Sequence, residues 1–454
     1  MSFIKTILSS FKNIHFQSLL GNGVMAVFGV VTIAILYRAL PVKEIGLYVF
    51  FMMIWGLVDT IRSGFLTIAF VKFYSGTTRE RAEEVIGSAW CFALIITGCC
   101  ILLNVLTFFL SPFITNEGMT LFLKYFSLIS VATLPLFMAN LVVQGEKRFD
   151  RLLWLRLINQ VFFTGTVIVL IFLKKASLTS IVLTFIGSNF IASLCVLFLG
   201  WTRVGAIKKM TKSCFMEIFH FGKYSVGSGL SANLFRVTDA FFINFFLGPS
   251  ALAVYNLGGR LMQIIEIPLM SFAASGMPSL STYYNNGQKA EMMYVMKKMI
   301  GMLSICIFGI AVVSIIFAEP IIGLIGGAKY MDTEAPNLFR IFMTMAILFP
   351  ADRYFSLGLD VIHLPKINFY KLLIMLAVNL TADYVGIAIF HSVYAVAAAD
   401  VFPVIIAIVI AYFPLNKFHK FSFWGMYVVG YKELVLFVRK IYFMLFKRDK
   451  VVND

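Results

Sequence analysis

The 454 residues are 60% hydrophobic and only 13% charged, against roughly 25% charged in an ordinary soluble domain, which excludes a soluble enzyme and points to an integral membrane protein. Apolar runs of about 20 residues recur, as spanning helices require, whereas outer-membrane strands would show alternating runs of about 10. The net charge of +16 does not imply nucleic acid, because most of the surplus sits in loops beside apolar segments, where it sets topology.

The chain opens with Phe3, Ile4, Ile7, Leu8, Phe11 and Ile14 at helical spacing, with Lys5 and Lys12 between them. This predicts an amphipathic helix over 1–16 on the membrane surface, retained and not cleaved. The length criterion then predicts spans at 18–37, 45–71, 86–110, 121–143, 152–173 and 178–200, an N-terminal six-helix bundle over 17–200. A basic linker over 201–220 carries Arg203, Lys208, Lys209 and Lys212. A second bundle over 221–414 follows, with spans at 224–247, 251–277, 297–318, 336–358, 367–390 and 393–414. The tail over 415–454 is read as interfacial, since a thirteenth span would export Lys447, Arg448 and Lys450.

The two halves read as repeats. Leu40 matches Leu247 and Tyr48 matches Tyr255 at an offset of about 207, which also carries Asp59 onto Glu266. Leu123-Lys124-Tyr125-Phe126 matches Phe339-Arg340-Ile341-Phe342, each followed by a mid-helix proline, Pro135 or Pro350, at an offset grown to about 216 by an insertion near Gly326 to Glu334. Six helices per half make the repeats parallel. The expected fold is therefore all-α, a polytopic membrane protein of about 12 transmembrane helices in two parallel-repeat six-helix bundles around a central cavity. Basic residues crowd one side of this layout, so both termini are expected in the cytoplasm.

Charges inside the spans cost roughly 2.5 to 3.5 kcal/mol each at the bilayer centre, so they must pair or line a wet cavity. They are Asp59, Arg62, Arg156, Arg236, Asp239, Arg260, Glu266, Arg340, Asp352, Arg353, Asp383 and Asp400. Asp59 with Arg62 and Arg236 with Asp239 stand three apart and can neutralise each other. Arg353 and Lys371 can snorkel to the interface. This leaves Arg156, Arg260, Arg340 and Lys124 without a local acidic partner, a set that suits an anionic cargo carrying phosphate or carboxylate. Pro135, Pro268, Pro350 and Pro403, with Gly21, Gly23, Gly227 and Gly229, fit bending helices but are ordinary in membrane proteins.

The cysteines Cys91, Cys99, Cys100, Cys195, Cys214 and Cys306 form neither a disulfide framework nor a zinc motif, and the five histidines add no metal constellation. With no Walker A loop or nucleophile elbow, neither a cofactor nor catalysis is expected.

Several motifs carry a family resemblance. They are Tyr37-Arg38-Ala39-Leu40-Pro41, Glu44 through Tyr48, Gly145 through Phe149, Phe221-Gly222, Asp239, Phe246-Leu247-Gly248, Ala253-Val254-Tyr255 and Arg260. The chain resembles the bacterial polysaccharide and O-antigen repeat-unit flippases of the multidrug/oligosaccharidyl-lipid/polysaccharide exporter superfamily. Arg62-Ser63-Gly64 departs from the family's Asp-x-Gly element, and Lys72 stands where an arginine is common. The resemblance implies flipping of an undecaprenyl-diphosphate-linked oligosaccharide across the bacterial inner membrane, by alternating access through a cationic cavity. A polysaccharide polymerase and a chain-length regulator would be partners. Lys124, Arg156, Arg236, Arg260 and Arg340 are the expected headgroup contacts, and Asp59, Asp239, Glu266, Asp383 and Asp400 the expected ion-coupling groups. The alternative is a cation-coupled multidrug or metabolite exporter, which would favour a net acidic cavity.

Overall fold

The computed structural model describes residues 14–109, 114 and 116–446, with side chains at a few positions within helices left out. The predicted helix over 1–16 lies largely outside the described residues. All regular structure among the described residues is helical, as expected where no water satisfies backbone groups. Among the described residues eight helices are long and apolar enough to cross a membrane, and shorter apolar helices occupy Val27–Ala39 and Val237–Leu247.

By packing, the chain divides into Met1–Ala253 with Ile325–Gly327, and Val254–Leu324 with Ala328–Asp454. The first unit holds α1 (Ile14–Ala39), α2 (Val42–Tyr74), α3 (Arg79–Phe109), α4 (Glu117–Gly145), α5 (Phe149–Phe172), α6 (Leu178–Phe198) and α7 (Lys212–Phe242). Local chemistry starts several of them. Asn116 accepts from the Met119 N–H at 3.1 Å, and Ser177 and Ser180 form a reciprocal capping box. The core joins Leu66 and Phe70 of α2, Ile86 and Trp90 of α3, Met138 and Leu141 of α4, and Ile218 of α7. α7 lies so close to α2 that a Cβ on Gly222 would stand 2.6 Å from the Phe65 carbonyl oxygen. Packing therefore puts α7 in the first unit, while the sequence repeat counts it as the first helix of the second half.

Pro135 lies inside a continuous α4. Near it the Leu136 N–H donates to Ser193 Oγ of α6 at 3.1 Å, and that hydroxyl donates to the Ala132 carbonyl at 2.6 Å. Leu136 and Ala132 are an i, i−4 pair of the helix, so the Ser193 hydroxyl docks on the same rung from α6.

The second unit is more broken. The predicted span 251–277 is split at Met262 between α8 (Pro249–Leu261) and α9 (Gln263–Asn285). α10 (Lys289–Ile316) is continuous and is followed by the short α11 (Ala318–Gly326). The predicted span 336–358 becomes α12 (Ala335–Ala346) and α13 (Phe349–Val361), with Pro350 in the first turn of α13 and not in mid-helix. There its missing N–H costs nothing. After α14 (Pro365–Phe390), the predicted span 393–414 is broken at Asp400 into α15 (Val393–Ala399) and α16 (Val401–Phe418), with Pro403 early in α16. The core of this unit is built from Met292, Met296, Tyr354, Phe355, Ile408 and Leu415.

α17 (Gly425–Phe446) is not among the helices long and apolar enough to span. It packs on α10 through glycine on glycine, since a Cβ on either Gly301 or Gly430 would collide with the other's backbone. Glu433 then accepts from Tyr294 Oη at 2.7 Å and from Lys298.

Every non-glycine residue with a left-handed backbone among those described is basic in type: Lys147, Lys174, Arg203, His363 and His391. Most follow a helix C-terminus, where a cation complements the dipole. Lys147 with His363, and Lys174 with His391, stand about 216 residues apart, the offset at which the two halves match in sequence.

Candidate functional site

The densest buried polar group of the second unit lies along α14. Lys371, Met375, Asn379, Asp383 and Ile387 form one buried stripe at i, i+4 spacing. Asn379 and Asp383 are fully buried at 0% exposure. Asn379 Nδ2 donates to Asp383 Oδ2 at 3.1 Å and to Asp400 Oδ1 at 3.3 Å, and Tyr255 Oη donates to Asp400 at 2.8 Å. Asp400, at the junction of α15 and α16, thus presents its carboxylate to Asn379 of α14. Carboxylate oxygens of Asp383 and Asp400 lie within 4.8 Å of each other. Two carboxylates so close, one of them fully buried and the other half-buried, repel unless a proton or a cation is shared between them. Asn379 and Tyr255 were not singled out as site residues, although the spacing of Lys371, Asn379 and Asp383 within one apolar run was visible.

Lys371 does not snorkel. It is 4% exposed, and its ammonium contacts Asp352 at 2.9 Å and Ser356 Oγ at 2.5 Å. Arg340 is not without an acidic partner either. It meets Glu319 at 3.0 Å, Asn337 Oδ1 at 2.6 Å and the Ile315 carbonyl at 3.2 Å, because the α11 turn brings Glu319 back beside α12. Arg260 is exposed on α8 and donates to Asn256 at 3.4 Å; among the described residues no carboxylate pairs with it. Glu266 is exposed on α9.

In the first unit the Asp59–Arg62 pair forms as its spacing predicts, at 2.6 Å, with the arginine side chain 6% exposed and the aspartate 32%. Arg62 also reaches Thr133 Oγ1 at 3.1 Å and lies 4.6 Å from the Phe137 ring centroid. Lys124 is exposed on α4, above the Tyr125 ring, with no ion pair among the described residues. Arg156 on α5 and Asp239 on α7 are half-buried and partnered. The side chain of Arg236 lies outside the described residues. The described cations named from sequence therefore divide into the partnered Arg156 and Arg340 and the exposed Lys124 and Arg260.

Solved structures share the fold. A lipid II flippase MurJ in an inward closed conformation aligns with TM-score 0.69 at 15% identity, covering 94% of this chain and 99% of that one. An inward-facing multidrug resistance MATE family transporter of the MOP superfamily gives 0.67 at 14%, covering 91% and 96%. A MOP superfamily transporter from Pyrococcus furiosus, described as having a binding pocket of reverse polarity, gives 0.58 at 13%, covering 90% and 95%. No curated protein sequence matches significantly. The profile of the family described as polysaccharide biosynthesis protein matches residues 35–335, well over half of the chain. With that match over most of its length and an architecture that is all-helical among the described residues, the chain belongs to the polysaccharide biosynthesis protein family.

Proposed function

We propose that the chain is a flippase for an undecaprenyl-diphosphate-linked oligosaccharide, such as an O-antigen or other surface polysaccharide repeat unit. It would work by alternating access in the bacterial inner membrane, with both termini in the cytoplasm. The observation that carries this reading is that Lys124 and Arg260 are exposed on apolar helices with no carboxylate paired to them among the described residues. A diphosphate supplies the charge they lack, and guanidinium in particular grips phosphate at two points. Arg156, Arg236 and Arg340 are secondary contacts in this scheme, Arg340 only by leaving Glu319. Ion coupling is assigned first to Asp383 and Asp400. Uptake of one cation or proton there removes a buried repulsion, and its release restores it. Asp59, Asp239 and Glu266 are the further candidates. A polymerase and a chain-length regulator would take the product.

Deletion in the source bacterium, complemented by wild type, Lys124→Ala or Arg260→Ala, tests this reading. Surface glycan should be restored by wild type and lowered about tenfold by Arg260→Ala, the loss of one charge-assisted contact, with lipid-linked units accumulating in the inner leaflet. Unchanged surface glycan after deletion would refute it. The Asp383–Asp400 pair also favours a second reading, a cation-coupled exporter of drugs or metabolites. Ion-driven efflux of small molecules from proteoliposomes, with no change in surface glycan, would select it.

A further inference from the structure

At one end of the first unit, where α2 and α4 end and α3 and α5 begin, the surface holds a cleft of about 520 Å³ lined by Tyr74, Thr77, Glu146, Arg148, Arg151 and Arg203. This volume falls in the range of small-molecule sites, roughly 300 to 1,000 Å³. Arg203 and Arg151 share one carboxylate. Arg203 bonds Glu146 directly, and Arg151 stands 3.8 Å from it while its guanidinium lies 5.2 Å from the Trp201 ring centroid. Tyr74 Oη also donates to Glu146, at 3.4 Å. Arg148 is held by Asp150 through bonds of 3.0 and 2.9 Å. Lys147 adjoins them on the same turn. Three arginines thus line the cleft against one carboxylate, and two of the guanidinium forks converge on that glutamate. The same end of the unit carries large exposed apolar side chains: Trp154 at 62%, one turn beyond Arg151, and Phe198 at 88%, three residues before Trp201.

We propose that this cleft binds a phosphate group, with Arg151 and Arg203 as its ligands. A soluble phosphate needs only the cations. The exposed tryptophan and phenylalanine beside them fit a phosphate carried by a lipid, whose chains would lie along α5 and α6 while the headgroup enters the cleft. In the proposed orientation this is the cytoplasmic leaflet. The inference concerns a site on one unit and does not depend on the identity of the transported cargo.

The test titrates the purified full-length protein in detergent with dioctanoyl phosphatidylglycerol and, separately, with inorganic phosphate, reading bound ligand by native mass spectrometry. Wild type should bind the lipid, and Arg151→Gln with Arg203→Gln together should weaken it at least tenfold. Glu146→Gln, which releases both guanidinium groups, should tighten it several-fold. That opposite change keeps the test decisive should the double variant fail to fold. Binding of inorganic phosphate with the same order of variants supports the site and assigns it to a free phosphate. No binding of either ligand, or binding that Glu146→Gln leaves unchanged or weakens, overturns the proposal and leaves these residues as ion pairs that tie the turns together.

Discussion

Pro135 and Pro350 follow the two sequence motifs expected to correspond between the halves, yet one sits inside an unbroken helix and the other in the first turn of a new one. The difference lies in what the neighbouring helix offers. Beside Pro135, Ser193 is 2% exposed and serves as acceptor for Leu136 and donor to Ala132, so a hydroxyl of α6 is built into the turn that carries the proline. Beside Pro350, Ser304 of α10 offers only a donor to the Ile347 carbonyl, at 3.4 Å. The backbone closes on itself instead: the Leu348 N–H bonds Met345 at 2.9 Å and the Ala351 N–H bonds Leu348 at 3.1 Å. The neighbouring helix thus contributes a two-way hydroxyl contact beside one proline and a single long bond beside the other.

Thermal unfolding of single variants in detergent sharpens this contrast. Ser193→Ala should have the largest effect, about 2 kcal/mol of destabilisation, because it strips a partner from a buried N–H and a buried carbonyl together. A loss no larger than that of Ser304→Ala would break the distinction. Pro350→Ala should cost about 0.7 kcal/mol, the entropy of an unfolded chain no longer restrained where the folded backbone already suits proline. If it stabilised the protein, Pro350 would be a strained kink after all. The smallest change belongs to Ser304→Ala, under about 0.5 kcal/mol, since a long bond to one carbonyl is lost and no donor is orphaned.

Relations along one helix were legible in the sequence, and relations between helices were not. Asp59 and Arg62 could be paired from their spacing because three residues return to the same face. Lys371 with Asp352 and Arg340 with Glu319 are separated by 19 and 21 residues and a change of helix, so no periodicity announces them. The all-helical membrane class follows from apolar content, which integrates over the whole chain. The breaks at Met262, Leu348 and Asp400 do not, because an apolar run keeps its mean hydropathy whether the backbone inside it is continuous or turns. Asp400 shows the cost for the site: its charge is visible in the sequence, but its approach to Asn379 and Tyr255 joins three helices that no periodicity links.

The seat of α17 on α10 also bears on how the chain is made. Gly301 and Lys298 leave the ribosome more than a hundred residues before Gly430 and Glu433. At roughly 5 to 20 residues per second, α10 therefore waits several seconds with a bare glycine face and an uncompensated lysine. Until α17 arrives, that face is open to lipid, to the insertion machinery or to a chaperone, and its burial consists in closing one backbone against another.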